Sequence, residues 1–384
     1  MSAFARQLQR LEKPPLSSLL AVASVVFVTA WLGIELTRES GRIASIWLAN
    51  GALLAVLLSS PQKRWPSYLL AAYIANVGAN TFAGDAGTLS MSLAATNSIE
   101  VICAAFFIRH TDSDSANLTR WPVLLRFAGL AVLLAPAISG IIACIILHLA
   151  TGAEAGPTFA KWYLADALGI AIVTPLGIAV RNRAFTAASH SAQIPEFVIS
   201  LLVLALCTFG IFFQTDYPLL FLIFPLLVVI AFRLGYTGTV TAIAIISTIS
   251  IILTVMDRGP FSLIAGSELT DRVLLLQVYI ACCSAMALPI VASLAERTSL
   301  AKELANSHET FLLFAENSTD MFVNTTAEGK RLYVSAGSQA LLGYTPKEMM
   351  DAQTTSLLHP DDLLSHEACK WGIHLGRGNL YVLL

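Results

Sequence analysis

The feature that most constrains this chain is a series of long apolar stretches that recurs through its first 294 residues. A helix needs about 20 residues to cross the hydrocarbon core of a bilayer. Ten segments approach that length: 16–36, 44–60, 65–83, 89–109, 123–150, 161–180, 196–213, 217–232, 236–256 and 272–294. The second, third and eighth are short or interrupted by Asn, Gly or Pro. The pattern predicts an all-α polytopic membrane bundle of about eight to ten transmembrane helices.

The composition supports a membrane protein and excludes several other classes. Apolar residues make up 56% of the chain, charged residues make up 12%, and the mean hydropathy is +0.71. A soluble domain of this composition would expose large apolar patches to water. Lys and Arg form no dense run, so we expect no nucleic-acid partner. The six cysteines show no spacing suited to zinc or disulfides, and we predict no metal site.

The distribution of basic residues predicts the orientation in the membrane. With ten spans and the N-terminus inside, twelve Lys or Arg residues fall in cytoplasmic loops and five fall on the opposite side. Short cytoplasmic loops are the ones enriched in Lys and Arg. We therefore predict that both ends of the chain are cytoplasmic, with residues 1–15 as a tail rather than a cleaved signal.

Several polar side chains lie inside the apolar segments, where they are costly. The ionisable ones are Glu35, Glu100, His148 and Asp166, and the amides are Asn50, Asn76, Asn80 and Asn97. The spacing places Asn97 and Glu100 on one helix face, and Asn76 and Asn80 on another. Such residues line a cavity for a small ligand or ion, or they form hydrogen bonds between helices. Both interpretations stay open on the sequence.

Three tryptophans near the ends of apolar segments suggest membrane anchors. Trp47, Trp65 and Trp162 suit the lipid–water boundary, where an indole buries its ring and leaves its N–H in water. We expect anchoring to be their main role, with ligand stacking as the alternative.

Glycines and prolines predict where the helices pack closely or bend. Gly51 and Gly169 allow two helices to approach each other closely. Pro136, Pro175 and Pro225 are expected to kink helices and to free backbone carbonyls. Kinked helices suit a bundle that moves, although static bundles contain them too.

Two segments carry a family resemblance. "IWLANGALLAVLLSSPQKRWPSYLLAAYIANVGAN" and "KWYLADALGIAIVTP" resemble motifs of a bacterial integral membrane sensor domain, the membrane-associated sensor of the first type. The similarity covers roughly residues 16–295. The matching motif positions are Trp47, Gly51, Arg64, Trp65, Pro66, Trp162, Asp166, Gly169 and Pro175. The resemblance implies a sensory role in the bacterial inner membrane, without a known ligand. Asn50 departs from the motif, where a small or apolar residue is expected.

A polar, helix-favouring segment follows the last apolar stretch. Residues 296–310 form the predicted linker or signalling helix. Leu294, Ala301, Leu304, His308 and Phe311 fall near a 3,4 spacing, which is typical of a short coiled coil in a homodimer. A solitary amphipathic linker fits the same pattern.

Residues 311–368 resemble the opening half of a PAS domain, an α+β sensor module. The pattern runs from "FLLFAENSTDMFVNTTAEGKRLYVSAGSQALLGYTPKEMM" to "HPDD". Gly329 suits the positive φ of a hairpin turn, and Gly343 suits a helix C-terminus. Thr345 and Glu348 have the spacing of a capping box at a new helix, with Pro346 at its first position.

The last residues do not continue the PAS pattern. Residues 369–384 lack the strand and turn repeats that would complete the sheet, so we expect a partial PAS domain with an atypical tail. Cys369 and His374 are isolated, and the sequence identifies no cofactor.

The sequence shows no catalytic output. It contains no glycine-rich phosphate loop and no GGDEF or EAL string. His308 and His366 each follow Ser and precede Glu, but they lack the rest of a kinase phosphoacceptor motif. We therefore predict no catalytic residues and no enzyme activity.

The sequence predicts a membrane signal sensor that relays a stimulus through the PAS-like module. The resemblance implies an output domain for cyclic di-GMP turnover or a histidine kinase, which we expect to be missing from this chain. The partners expected are the lipid bilayer, a second copy of the chain, and an unknown small ligand or membrane signal. The alternatives are a transporter or channel with a regulatory C-terminal segment, and a passive anchor. The candidate ligand-binding or signalling residues are Trp47, Asn50, Asn76, Asn80, Asn97, Glu100, Trp162 and Asp166.

Overall fold

The protein is described by a computed structural model that covers residues 14–36, 46–111, 116–181, 194–264, 269–318, 320–326 and 330–351. Within those ranges it is mostly helical, with one two-stranded sheet near the C-terminus. The chain divides into two compact units, residues 1–297 and 298–384.

The first unit consists of helices with short connections. They are α1 (Leu16–Leu36), α2 (Leu48–Leu58), α3 (Trp65–Phe82), α4 (Gly87–Thr111), α5 (Trp121–Arg126), α6 (Ala135–Thr151), α7 (Ala155–Arg181), α8 (Ile194–Phe213), α9 (Ile223–Val255) and α10 (Leu269–Asn317). A π-helical segment, Phe127–Leu134, joins α5 to α6. Single 3₁₀ turns occupy Gln62–Arg64, Leu219–Leu222 and Pro260–Leu263. The boundary between the two units falls within α10.

Seven of the described helices are long and apolar enough to cross a membrane, compared with the predicted eight to ten. In segment 44–60, which is described from residue 46 onward, the one α-helix is the eleven-residue α2. Segment 65–83 forms the 18-residue helix α3, whose sequence is interrupted by Asn76 and Asn80. Segments 217–232 and 236–256 lie on either side of a kink at Gly235 and are counted together as the run 219–255. The prediction of a polytopic helical membrane protein is nevertheless confirmed.

The helical run 219–255 contains a sharp local break at Gly235. Its backbone angles are φ 60° and ψ −152°, well outside the helical region. A side chain at this φ would strain the backbone, so glycine is the suitable residue. Pro225 lies in the first turn of α9, where proline removes no helical hydrogen bond. Pro225 can therefore be accommodated without a kink, and the helical backbone is interrupted at Gly235 instead.

Glycines bring α2 and α7 into close contact. A Cβ atom on Gly51 would lie 2.5 Å from the Gly169 carbonyl oxygen, and one on Gly169 would lie 2.0 Å from the Trp47 carbonyl oxygen. The Trp47 N–H donates to the Ala165 carbonyl at 3.1 Å, and the Thr174 hydroxyl donates to the Gly51 carbonyl at 3.0 Å. The predicted close approach at Gly51 and Gly169 is confirmed.

Basic and indole side chains satisfy the carbonyl groups at the end of α2. Arg109 donates to the Leu58 carbonyl at 3.1 Å, and Trp65 donates to the Leu57 carbonyl at 2.9 Å. Arg181 donates to the Ser60 hydroxyl at 3.1 Å. Unpaired carbonyls at a helix end are costly away from water, and cations also interact favourably with the helix dipole there. These contacts allow α2 to end inside the protein.

The predicted anchor role is wrong for Trp47 and Trp65. Each side chain is only 8% exposed, and each belongs to the hydrophobic core of the membrane unit. Both indole N–H groups find protein acceptors, which are the Asn50 amide oxygen and the Leu57 carbonyl. An indole with an internal acceptor does not need the wet boundary.

The second unit contains the strands and two short helices. Strand β1 (Val323–Thr325) pairs antiparallel with β2 (Arg331–Val334), with Val323 opposite Val334. Helices α11 (Gly337–Leu342) and α12 (Pro346–Asp351) follow. These elements do not establish a PAS fold. Gly329, the turn at His359 to Asp362, and His366, Cys369 and His374 lie outside the described residues.

Two local predictions in this unit are confirmed. Gly343 ends α11 with a φ of 77°, a left-handed conformation that favours glycine. The Thr345 N–H and hydroxyl both donate to Glu348 at 2.8 Å, while the Glu348 N–H donates back to the Thr345 hydroxyl at 3.3 Å. This is a reciprocal capping box. The hydrogen bonds from Thr345 hold the pKa of the Glu348 carboxyl below its usual value.

Replacing Thr345 with alanine should loosen the start of α12. Loss of a helix cap costs about 1 kcal/mol. We expect amide hydrogens in residues 345–351 of the full chain to exchange about fivefold faster. Faster exchange should also appear in the unchanged protein as the pH falls through the lowered pKa of Glu348, because the carboxylate that accepts from Thr345 is then protonated. Mass spectrometry of the exchanging peptides measures both effects, after correction for intrinsic exchange rates. Thr310→Ala, in the exposed part of α10, should leave this peptide unchanged.

Candidate functional site

Polar side chains from four parts of the membrane unit meet in its interior. They form a group that we call the polar cluster: Trp47, Asn50, Asn97, Glu100, Ser139, Trp162 and Asp166. Trp47 and Asn50 come from the start of α2, and Asn97 and Glu100 come from α4. Ser139 comes from α6, whereas Trp162 and Asp166 come from α7.

Asn50 connects the first two parts of this cluster. Its amide nitrogen donates to Asn97 Oδ1 at 3.3 Å and to Glu100 Oε1 at 3.1 Å. Its amide oxygen accepts the Trp47 indole N–H at 3.2 Å. The residue that departs from the family motif therefore joins α2 to the acidic side chain of α4.

Glu100 is fully buried and holds hydrogen bonds on both carboxyl oxygens. Asn50 donates to Oε1, and the Ser139 hydroxyl donates to Oε2. Trp162 Nε1 lies 3.2 Å from Ser139 Oγ and donates to it. The contacts link α2, α4, α6 and α7 through one carboxyl group.

Asp166 is the second acid of the cluster and has an unsatisfied oxygen. The residue is 2% exposed, and its carboxyl interacts with Glu100 and Trp162. Its Oδ2 atom has no hydrogen-bond partner among the described residues. The contacts of both acids within the described chain include no Lys, Arg or His side chain. Two buried acids without a basic partner form an unusual arrangement.

The other predicted polar residues lie in different surroundings. Asn80 donates to Asn76 Oδ1 at 2.7 Å, so these two form a pair on α3. That pair confirms their shared helix face, but none of its hydrogen bonds reaches the polar cluster. His148 is exposed and lies 2.9 Å from the Ala153 carbonyl, and Glu35 is exposed at the end of α1.

Sequence reasoning missed Ser139. The residue is completely buried and connects Glu100 to Trp162. A single serine in an apolar helix is a weak sequence signal, because its hydroxyl can bond to its own helix. The Ser139 oxygen also lies 3.1 Å from the Pro136 carbonyl oxygen, the distance of that local bond. Only the neighbouring helices reveal the second role.

The cluster offers oxygen atoms and negative charge rather than a transition-metal centre. Within the described ranges, no three His, Cys, Asp or Glu side chains come together as metal ligands. The two carboxyls, the Asn97 amide and the Ser139 hydroxyl instead supply hard oxygen donors. Such oxygens suit a proton or a small hard cation.

Helices of membrane length around acidic and amide side chains define an integral membrane protein with an internal polar site. Residues 17–299 match the family model of MASE1, a membrane-associated sensor domain. This range covers more than half of the chain, which therefore belongs to the MASE1 family, a sensory and non-catalytic class of domain. No curated protein matches the chain, and no solved structure matches it.

Proposed function

We propose that this protein is a bacterial inner-membrane signal sensor whose stimulus acts on the polar cluster. The observation that supports this most strongly is the network through Glu100, which joins four helices inside a domain of a sensory family. A change in charge or ligand at Glu100 or Asp166 alters contacts on all four helices at once. That is the property a membrane sensor needs to convert a local event into helix movement.

The second unit is the proposed relay. Its antiparallel strand pair, the glycine turn at Gly343 and the capping box at Thr345 fit the opening half of a PAS domain. In this proposal both termini are cytoplasmic, residues 296–310 form the signalling helix, and residues 311–368 form the PAS-like module. The output is cyclic di-GMP turnover or a histidine kinase, to which the module passes the signal.

An exposed apolar stripe on α10 supports a homodimer. Leu300, Leu304, Phe311 and Phe314 are all exposed, and their spacing of 4, 7 and 3 residues follows a heptad pattern. This register differs from the predicted one, which used Ala301 and His308. We propose that a second copy of the chain covers this stripe.

Placing glutamate at Leu304 and Phe311 together should weaken that dimer. Charges in a coiled-coil seam oppose association, because they must be desolvated. We expect cross-linking between cysteines introduced at Ser307 to fall at least tenfold in membranes. The control changes Asn306 to glutamate, outside the stripe. Equal cross-linking in the double variant and the control would contradict the dimer.

The signalling role can be tested with a reporter. We expect Asp166→Asn and Glu100→Gln to abolish the stimulus-dependent part of the output, by tenfold or more, when the full chain is fused to a diguanylate cyclase reporter domain. The amides keep the size of the side chain but remove the charge. Asp216→Asn, an exposed position after α8, is the matched control. Membrane extraction and size-exclusion profiles check insertion. Normal signalling in both variants would contradict the proposed role of the cluster.

A transporter or channel is the alternative function, because buried acids also occur on ion pathways. Flux into proteoliposomes separates the two functions. A sensor should show no substrate-specific flux, whereas flux that disappears in Asp166→Asn would favour transport.

A further inference from the structure

We propose that Glu100 and Asp166, together with Asn97 and Ser139, bind one Na⁺ ion in competition with a proton. This inference rests on the proposed function only in taking the polar cluster as the sensing site. It names the chemical class of the ligand, which neither the family nor the fold assigns.

Oxygen atoms of three neighbouring side chains are available as candidate ligands beside Glu100. Asp166 Oδ2 is buried, lacks a hydrogen-bond partner among the described residues, and belongs to the carboxyl that interacts with Glu100. Asn97 Oδ1 accepts a hydrogen bond from Asn50 at 3.3 Å and retains a free lone pair. The Ser139 hydroxyl donates to Glu100 and accepts from Trp162, which leaves one lone pair on its oxygen. These oxygens are the candidate ligands for an ion bound at the two carboxyls.

The charges of the cluster favour a cation there. Glu100 accepts hydrogen bonds on both oxygens, which stabilises its ionised form. Asp166 lacks such a donor on Oδ2. Two adjacent carboxylates in a low-dielectric interior repel each other, and an unpaired buried charge is strongly unfavourable. A proton or a cation between the two carboxyls removes that repulsion.

The number of ligands distinguishes Na⁺ from divalent cations. Ca²⁺ usually takes six to eight oxygen ligands, and Mg²⁺ requires a near-ideal octahedron and keeps several waters. Within the described residues the cluster supplies two carboxyls, one hydroxyl and the Asn97 amide oxygen, because the Asn50 amide oxygen faces the Trp47 indole. Asn50 and Ser139 already donate hydrogen bonds to Glu100. This set of oxygen ligands is small, and hydrogen-bond donors already offset part of its negative charge. It therefore suits a monovalent ion that keeps one or two water ligands.

The exchange with a proton follows from the neighbouring groups. In the acid form one proton is shared between the Asp166 and Glu100 carboxyls. When Na⁺ binds, that proton leaves to solvent, so one positive charge replaces another. Another titratable side chain that interacts with Glu100 is Cys103, one turn further along α4. The contacts of both acids from α2, α6 and α7 are Asn50, Ser139 and Trp162, which carry no charge.

The test measures ion-dependent stability and binding with the full chain in nanodiscs. Thermal unfolding is recorded in NaCl, KCl, MgCl₂ and choline chloride at equal ionic strength, at pH 6 and pH 8.5, and ²²Na⁺ binding is measured in parallel. We expect NaCl alone to raise the unfolding temperature at pH 8.5. At pH values low enough for the site to hold its proton, Na⁺ must displace that proton. The Na⁺ concentration that gives half of the maximal stabilisation should then rise about tenfold for each unit by which the pH is lowered.

Two variants provide the specificity control. Asp166→Asn should abolish ²²Na⁺ binding and the NaCl-dependent shift, whereas the exposed Glu154→Gln should retain both. If Asp166→Asn does not fold, the ion and pH series on the unchanged chain decides the question. The proposal is overturned if Na⁺ and choline act alike at both pH values, if Mg²⁺ replaces Na⁺, or if Asp166→Asn still binds the ion.

The outcomes separate this inference from the proposed function. If Asp166→Asn loses signalling but the unchanged chain does not bind Na⁺, the sensory role of the cluster is supported and the Na⁺ site is contradicted. If the cluster binds Na⁺ but Asp166→Asn signals normally, the Na⁺ site is supported and its sensory role is contradicted.

Discussion

Gly169→Val should prevent the membrane unit from folding stably. A Cβ atom at this position would lie 2.0 Å from the Trp47 carbonyl oxygen and 2.7 Å from its carbonyl carbon. Both are backbone atoms, and the neighbouring Trp47 N–H is already bonded to the Ala165 carbonyl. The start of α2 would have to move away from α7. Overpacking of this kind costs about 3 kcal/mol, and more when the backbone must shift.

The expected result is little folded protein in a size-exclusion profile of detergent extracts. Any folded fraction should have a clearly lower unfolding temperature. Gly210→Val in α8 is the matched control, because a Cβ atom there would meet nothing within 4 Å. A folded yield in Gly169→Val equal to that of the control would show that α2 and α7 do not pack as described.

The second large effect is expected for Asn50→Ala. The substitution removes the donor to Asn97 and Glu100 and the acceptor of the Trp47 indole. Each buried polar group left without a partner costs about 1–3 kcal/mol. We expect the free energy of unfolding to fall by about 3 kcal/mol in total, since part of the cost is relieved by rearrangement.

Asn80→Ala tests whether the position of the asparagine matters. Asn80 is also buried, but its side chain donates only to Asn76 in its own helix. Its loss should cost roughly a third as much as the loss of Asn50, because Asn76 loses one partner. Thermal unfolding in the same detergent compares the two variants. Equal destabilisation would mean that Asn50 does not connect the helices of the cluster.

The positions of the helices could be predicted because their cause is local. Long apolar segments must become helices in lipid, where every backbone group needs an internal partner. The count of membrane-length helices was less predictable. Segment 44–60 forms only a short helix because Trp47 docks on α7 through its backbone and Arg109 satisfies the Leu58 carbonyl. Both contacts come from residues distant in sequence.

The predictions for Trp47 and Trp65 failed for a related reason. The sequence shows that an indole lies near the end of an apolar stretch, which is typical of a boundary anchor. It does not show whether an acceptor from the protein will reach the indole N–H. For Trp65 the acceptor is the Leu57 carbonyl, at the end of the preceding helix.

The sequence by itself determined the class of this protein, the paired faces of Asn97 with Glu100 and of Asn76 with Asn80, and the caps at Gly343 and Thr345. All of these follow from apolar length or from spacing within one helix or turn. Only the tertiary structure decided that Asn50, Glu100, Ser139 and Asp166 meet while Asn76 and Asn80 pair elsewhere. That outcome depends on which helix faces pack together, and the close approach at Gly51 and Gly169 sets the packing of α2 against α7.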